Sequence, residues 1–152
     1  MNSLKLDNNK ADAIIVNTKS CGNHGKILWD TINKNALFQK FNFQNAKKLN
    51  LSDFNHDQIQ SVVNNWIGEC INLGYKKFVA VGGDGTVHLA MNALIQHKNS
   101  SPILGAIGIG SSNDFHKKFC NNESNKISDI PIRLNFQKAF YHDICEVNYE
   151  SE

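Results

Sequence analysis

Phe78-Val79-Ala80-Val81 runs without a polar residue into Gly82-Gly83-Asp84-Gly85-Thr86, and Val87, Ala90, Met91, Leu94 and Ile95 follow at helical spacing. Four consecutive apolar residues predict a strand buried on both faces. Such a strand needs cover above and below, and the segment that follows at once predicts a helix to supply it. This is half of a βαβ unit, so the chain is constrained toward a parallel sheet covered by helices.

The same grammar recurs along the chain. Ala13-Ile14-Ile15-Val16 predicts a buried strand, with a loop over residues 17–26 and a helix over Ile27 to Leu37. Phe41-Asn42-Phe43 alternates and predicts a second strand. Ile59, Val62, Val63, Trp66, Ile67, Cys70 and Ile71 make one apolar helical face, with Ser52 or Asp53 as its cap and Gly74 as its stop. Thr86 is placed to cap the helix after the glycine turn. Ser100-Ser101-Pro102 breaks that helix, Ile103 to Ile107 predicts another strand, and the tail from Ile130 to Val147 predicts one or two more. At 152 residues the chain fits one domain with a real core, here residues 13–152 behind a polar, flexible stretch over 1–12.

Charge excludes little except nucleic acid. The net charge is +2, and Lys47-Lys48, Lys76-Lys77 and Lys117-Lys118 are scattered pairs rather than a basic run. Cys21, Cys70, Cys120 and Cys145 show no C-x-x-C spacing, and Met1 to Lys5 does not open a signal peptide. Reduced thiols in a cytoplasmic protein follow. No apolar run reaches membrane-spanning length, so any membrane contact is peripheral.

Three glycine-containing loops follow predicted strands: 17–26, 82–86 and 108–115. In a parallel sheet such loops gather on one edge, where ligands bind. Glycines let a ligand approach the backbone, and the next helix turns its unpaired N–H groups toward anions such as phosphate. Asp84 is itself an anion and would repel a bare phosphate. It makes sense beside a divalent metal, or facing a hydroxyl that must lose a proton. An Asp-Gly turn that merely joins strand to helix explains Asp84 equally well when the loop is taken alone. The loop at Gly110-Ser111-Ser112-Asn113-Asp114 adds short donors and a second carboxylate and shifts the balance toward a site. Asn17, Lys19 and Ser20 complete it, Lys19 as a point charge for phosphate. Neither G-x-x-x-x-G-K-[ST] nor a Rossmann G-x-G-x-x-G is met. His88 lies near the helix start and off its apolar stripe. His24, His56, His97, His116 and His142 read as surface, and Trp29 and Trp66 as core.

Gly82-Gly83-Asp84-Gly85-Thr86 followed by Gly110-Ser111-Ser112-Asn113-Asp114-Phe115 resembles the diacylglycerol kinase catalytic-domain family, which includes bacterial lipid kinases and sphingosine kinases. Asn17-Thr18-Lys19-Ser20-Cys21 resembles the family's opening N-P-x-S-G, and Asp143-Ile144-Cys145-Glu146-Val147 its later I-D-L-G-x-V segment. The resemblance implies a three-layer α/β sandwich with a mostly parallel sheet, as in the N-terminal domains of NAD kinases and diacylglycerol kinases. It implies an ATP site formed by Asn17, Lys19, Ser20, Gly82, Gly83, Gly85, Thr86, Gly110, Ser111, Ser112 and Asn113. It makes Asp84 catalytic and gives Asp114 and Asp143 to Mg²⁺ through water. It also implies a lipid hydroxyl as phosphate acceptor at a membrane surface.

The chain departs from the family pattern at Thr18 and Cys21, where proline and glycine stand; at Leu89, often acidic; at Gly108, usually proline; and at Ser112, usually glycine. Family kinases carry a second, β-rich domain after this region, so the sequence is expected to hold the nucleotide-binding half and to transfer phosphate poorly by itself. Apolar surface left where that domain docks favours a homodimer. Two other functions stay open: a non-catalytic nucleotide-binding module, and an NAD kinase-like enzyme sharing only G-G-D-G.

Overall fold

A computed structural model describes residues 11–39, 41, 43–117, 126–139, 141 and 144. Strands β1 (Ala13–Val16), β2 (Lys47–Asn50), β3 (Lys77–Gly82), β4 (Ile103–Gly108), β5 (Lys126–Ile127) and β6 (Ile130–Arg133) form one sheet in the order β2-β1-β3-β4-β6-β5. The first four run parallel. β6 pairs antiparallel with β4, and β5 with β6. Helices α1 (Gly25–Lys34), α2 (Ala36–Gln39), α3 (Ile59–Asn72), α4 (Asp84–Ile95) and α5 (Asp114–Lys117) connect them.

Strand alternation sorts the core into two halves. Ile14, Val16, Val79, Val81 and Ile107 face Trp29, Ile32 and Phe38 of α1 and α2. Ala13, Ile15, Phe78, Ala80 and Ala106 face Val63, Ile67, Ala90 and Ala93 of α3 and α4. The protein is therefore a three-layer α/β sandwich with a mostly parallel sheet, as the sequence predicts. Among the described residues no helix is long and apolar enough to cross a membrane.

Several local expectations are corrected. Phe41 lies in a turn and Phe43 opens a short 3₁₀ turn; their rings stack at 6.0 Å, and Phe43 packs on Phe38 at 4.8 Å. The alternation of aromatics there serves packing and not pairing. The second strand is Lys47-Lys48-Leu49-Asn50, an edge strand paired with β1 whose lysine ammonium groups lie over the rings of Trp66 and Trp29. Helix α1 starts at Gly25 and stops at Lys34. Gln58 precedes α3, while Ser52 and Asp53 sit in a separate 3₁₀ turn. Gly83 caps α4, so Thr86 is the third helical residue. Gly74 does end α3, at φ +86°, with its N–H on the Ile71 carbonyl and that of Tyr75 on Cys70. Ala11 and Asp12, within the stretch predicted as loose, are held: Ala11 is buried, and the Asp12 carboxylate accepts the N–H groups of Lys76 and Lys77 at 2.8 Å. Residues 142, 143 and 145–152 lie outside the described residues.

Candidate functional site

The parallel strands all deliver their outgoing loops to one edge. Asn17 extends β1, its N–H on the Val81 carbonyl at 2.8 Å. Its side chain then organises the first loop: Oδ1 accepts from the Lys19 N–H at 3.1 Å, and Nδ2 donates to Thr86 Oγ1 at 3.3 Å. Ser20 Oγ accepts the Gly83 N–H at 3.3 Å, so the first loop is tied to the start of α4 at two points.

The second and third loops touch through their backbones. A Cβ on Gly110 would lie 2.3 Å from Gly83 Cα, and one on Gly82 would lie 2.2 Å from Thr86 Oγ1. Only glycine allows these approaches. Asn113 adopts the left-handed conformation at φ +51° and closes the Gly110 loop, accepting its N–H at 3.0 Å and donating to its carbonyl at 2.8 Å. Asp84 crosses the same gap: its Oδ1 accepts the Phe115 N–H at 3.0 Å and so caps α5 from another element.

Between the loops lies a cleft of about 670 Å³, within the range of small-molecule sites. It brings together Asn17, Ser20, Gly83, Asp84, Gly85, Thr86, Gly110, Ser111 and Ser112 of the predicted residues. Lys19 is exposed and away from its lining, Gly82 is buried beneath Thr86, and Asn113 acts behind the loop. Asp114 is also outside the lining and pairs with Lys117. Asp143 lies outside the described residues. The wall also contains Cys21 and Leu89, and His56, Ile59 and Gln60, which sequence reasoning missed. They lie between β2 and the first turn of α3, so placing β2 at residues 47–50 would have sent this segment to the same edge.

Burial pushes the Asp84 carboxyl up, but the N–H groups of Phe115 and Asp114, the His116 ring and its own N–H outweigh it. The net effect holds Asp84 below the ordinary carboxylate range. His116, expected at the surface, is buried beneath this loop, and neither ring nitrogen has a hydrogen-bond partner among the described residues. Burial first, and the Arg133 charge second, lower its pKa to about 4 against the pull of Asp84. The imidazole is neutral at neutral pH.

The arrangement suits an anionic ligand at the start of α4. Helix α4 opens at the cleft; the Gly83 N–H is taken by Ser20 Oγ and the Thr86 N–H by the Gly83 carbonyl at 3.0 Å, so Gly85 offers the N–H to an anion. Gly85 lines the cleft, and a Cβ there would meet no atom within 4 Å. Among the described residues no three His, Cys, Asp or Glu side chains converge on a metal position. Asp84 is the carboxylate that the cleft lining offers to a cation.

No curated protein and no solved structure matches the chain. The family model of the diacylglycerol kinase catalytic domain matches residues 13–140, from β1 through all three loops and beyond β6, and the chain belongs to that family.

Proposed function

We propose that this chain is the ATP-binding part of a lipid kinase, which passes the γ-phosphate of ATP to a lipid hydroxyl of diacylglycerol or sphingoid type. Family membership supports a kinase, a phosphotransferase that uses ATP. The observation that carries the finer reading is the contact of two glycine loops at the N-terminus of α4 with one ionised carboxylate, Asp84, set between them.

Phosphoryl transfer asks the protein for positioning and charge stabilisation more than for covalent chemistry. Asn17 and Ser20 fix the loop opposite α4, and the Gly85 N–H in the first turn of α4 receives a phosphate oxygen. Gly85 lets the phosphates reach the backbone. Asp84 would be the residue to hold a Mg²⁺ ion, which would supply charge neutralisation for the phosphates. In the reaction the acceptor oxygen forms a bond to the γ-phosphorus while the bond to the bridging oxygen of ADP breaks. Asp84, ionised at neutral pH, orients the hydroxyl and takes up its proton as the bond to phosphorus forms.

Leu89 favours a second reading. It lines the cleft where the family pattern often has a carboxylate, which fits a nucleotide-binding module without turnover. Calorimetric titration with Mg-ATP, with NAD as control, tests the first reading. Saturable binding of Mg-ATP that Asp84→Asn weakens, with none for NAD, is the expected result. Asn at 84 keeps an acceptor for the Phe115 N–H but loses the charge, so an unchanged affinity would remove Asp84 from the phosphate site. Labelled-phosphate transfer to lipid acceptors in mixed vesicles then separates a kinase from a silent module.

A further inference from the structure

Arg133 stands outside the cleft yet bears on its carboxylate. It ends β6, which pairs with β4 so that Arg133 lies opposite Ala106, beneath the third loop. Its guanidinium carbon sits 4.4 Å from the centre of the Phe115 ring, and Nη1 donates to the Phe115 carbonyl at 3.2 Å. Phe115 is thus gripped by ring and by backbone. The N–H of the same residue donates to Asp84 Oδ1 at 3.0 Å.

We propose that Arg133 is a positioning residue for Asp84. This rests on the reading of Asp84 as the carboxylate of the nucleotide site. The four described residues of helix α5, Asp114–Lys117, are tied to the rest of the protein at Phe115. Two contacts from other elements meet there: Asp84 on the Phe115 N–H and Arg133 on its ring and carbonyl. Release of Phe115 frees the N–H that aims the Asp84 carboxylate, and displacements near 1 Å at such a group matter greatly for reactive geometry. A planar guanidinium stacks on a ring and donates in its own plane at once. A lysine ammonium carries the same charge on a flexible stem and does not reproduce that combination. The role therefore depends on the shape of Arg133 as well as its charge.

The test joins two readouts on the whole chain. Amide NMR follows the Phe115 N–H, which a carboxylate acceptor shifts downfield, and calorimetry follows Mg-ATP. In Arg133→Met the Phe115 amide should move upfield, in the direction seen in Asp84→Asn, and Mg-ATP should bind about tenfold more weakly, about 1.4 kcal/mol. Arg133→Lys should fall between Met and wild type in both readouts; as the milder change it also guards against a misfolded variant. The double variant should bind no more weakly than Asp84→Asn alone, because both changes act through one group. A Phe115 amide unmoved in both Arg133 variants, or effects of the two sites that add in full, would overturn the proposal. If Asp84→Asn leaves Mg-ATP binding intact, the functional reading of Asp84 fails, and the Phe115 amide still decides whether Arg133 positions it.

Discussion

Gly85→Ala separates what the α4 N-terminus does for folding from what it does for a ligand. Gly85 is the second residue of α4, and an added Cβ would meet nothing within 4 Å. Replacing a helical glycine by alanine favours the fold by about 0.5–1 kcal/mol, with no clash here to offset the gain. For a chain of this size that raises the melting temperature by about 1–4 °C. The open space is the cleft itself, so the methyl stands where phosphates approach the backbone. A misplacement of about 1 Å can cost up to about a hundredfold at a reacting centre, and we expect at least about tenfold in Mg-ATP affinity. Stability and binding should move in opposite directions. Thermal melts with and without Mg-ATP measure both. At a ligand concentration about a hundred times the wild-type Kd, the stabilisation is about 2.7 kcal/mol in wild type and about 1.4 kcal/mol in the variant. A ligand-induced shift as large as wild type's would refute the placement of phosphates on this face. A lower melting temperature of the free variant would refute the helical start at Asp84.

Gly110→Ala should damage both properties at once: its Cβ would come within 2.3 Å of Gly83 Cα, and ordinary carbon contacts near 3.5 Å require the loops to part by over ~1 Å. A loss of about 1–3 kcal/mol in urea unfolding and loss of Mg-ATP binding are expected; binding at wild-type strength would show that the two loops do not form one site. The buried His116 predicts an acid-sensitive fold. Its folded pKa of about 4 lies below the ordinary 6.5, so the unfolded chain takes up a proton as the pH drops below 6.5 while the folded protein stays neutral until about 4. Stability is then lost across that window, by about 3 kcal/mol in all. The contribution of Asp84, whose pKa is lowered, disappears separately, as the pH falls through the acidic carboxylate range. Urea midpoints at neutral pH and near pH 4.5 should converge in His116→Leu relative to wild type; equal slopes in the two proteins would count against His116 as the source.

Where burial is periodic, the sequence was legible. β1, β3 and β4 are covered on both faces and read as apolar runs, and α3 and α4 carry apolar faces at helical spacing. β2 escaped because an edge strand buries little: of Lys47-Lys48-Leu49-Asn50 only Leu49 is buried. Phe41 and Phe43 imitated a strand because ring packing on Phe38 also needs two aromatics close together. The glycines of the site were legible because two of them meet other atoms where a side chain cannot fit. The capping of α5 by Asp84 was not, since donor and acceptor are 31 residues apart and no local spacing encodes them. Nor was the burial of His116, since the described residues of its helix, Asp114–Lys117, carry no apolar stripe.

The departures from the family pattern divide by what they touch. A Cβ on Gly108 would come within 2.8 Å of Pro131 Cγ and 2.9 Å of both Asn113 Cγ and His116 Cδ2. The space at Gly108 is occupied by the residues that close the third loop, so glycine there belongs with a buried histidine and Pro131 as one packing solution. Thr18 is similarly absorbed: its hydroxyl shares a 2.7 Å hydrogen bond with Ser52 and ties the first loop to the turn after β2. Cys21 and Leu89 are of another kind. Both line the cleft, and Cys21 holds a left-handed φ of +54° at a cost of about 1–2 kcal/mol for a residue with a side chain. Changes absorbed by packing leave the loops where the family chemistry needs them. Changes in the lining alter what the loops meet, so a ligand in the cleft meets Cys21 and Leu89 and not Thr18 or Gly108.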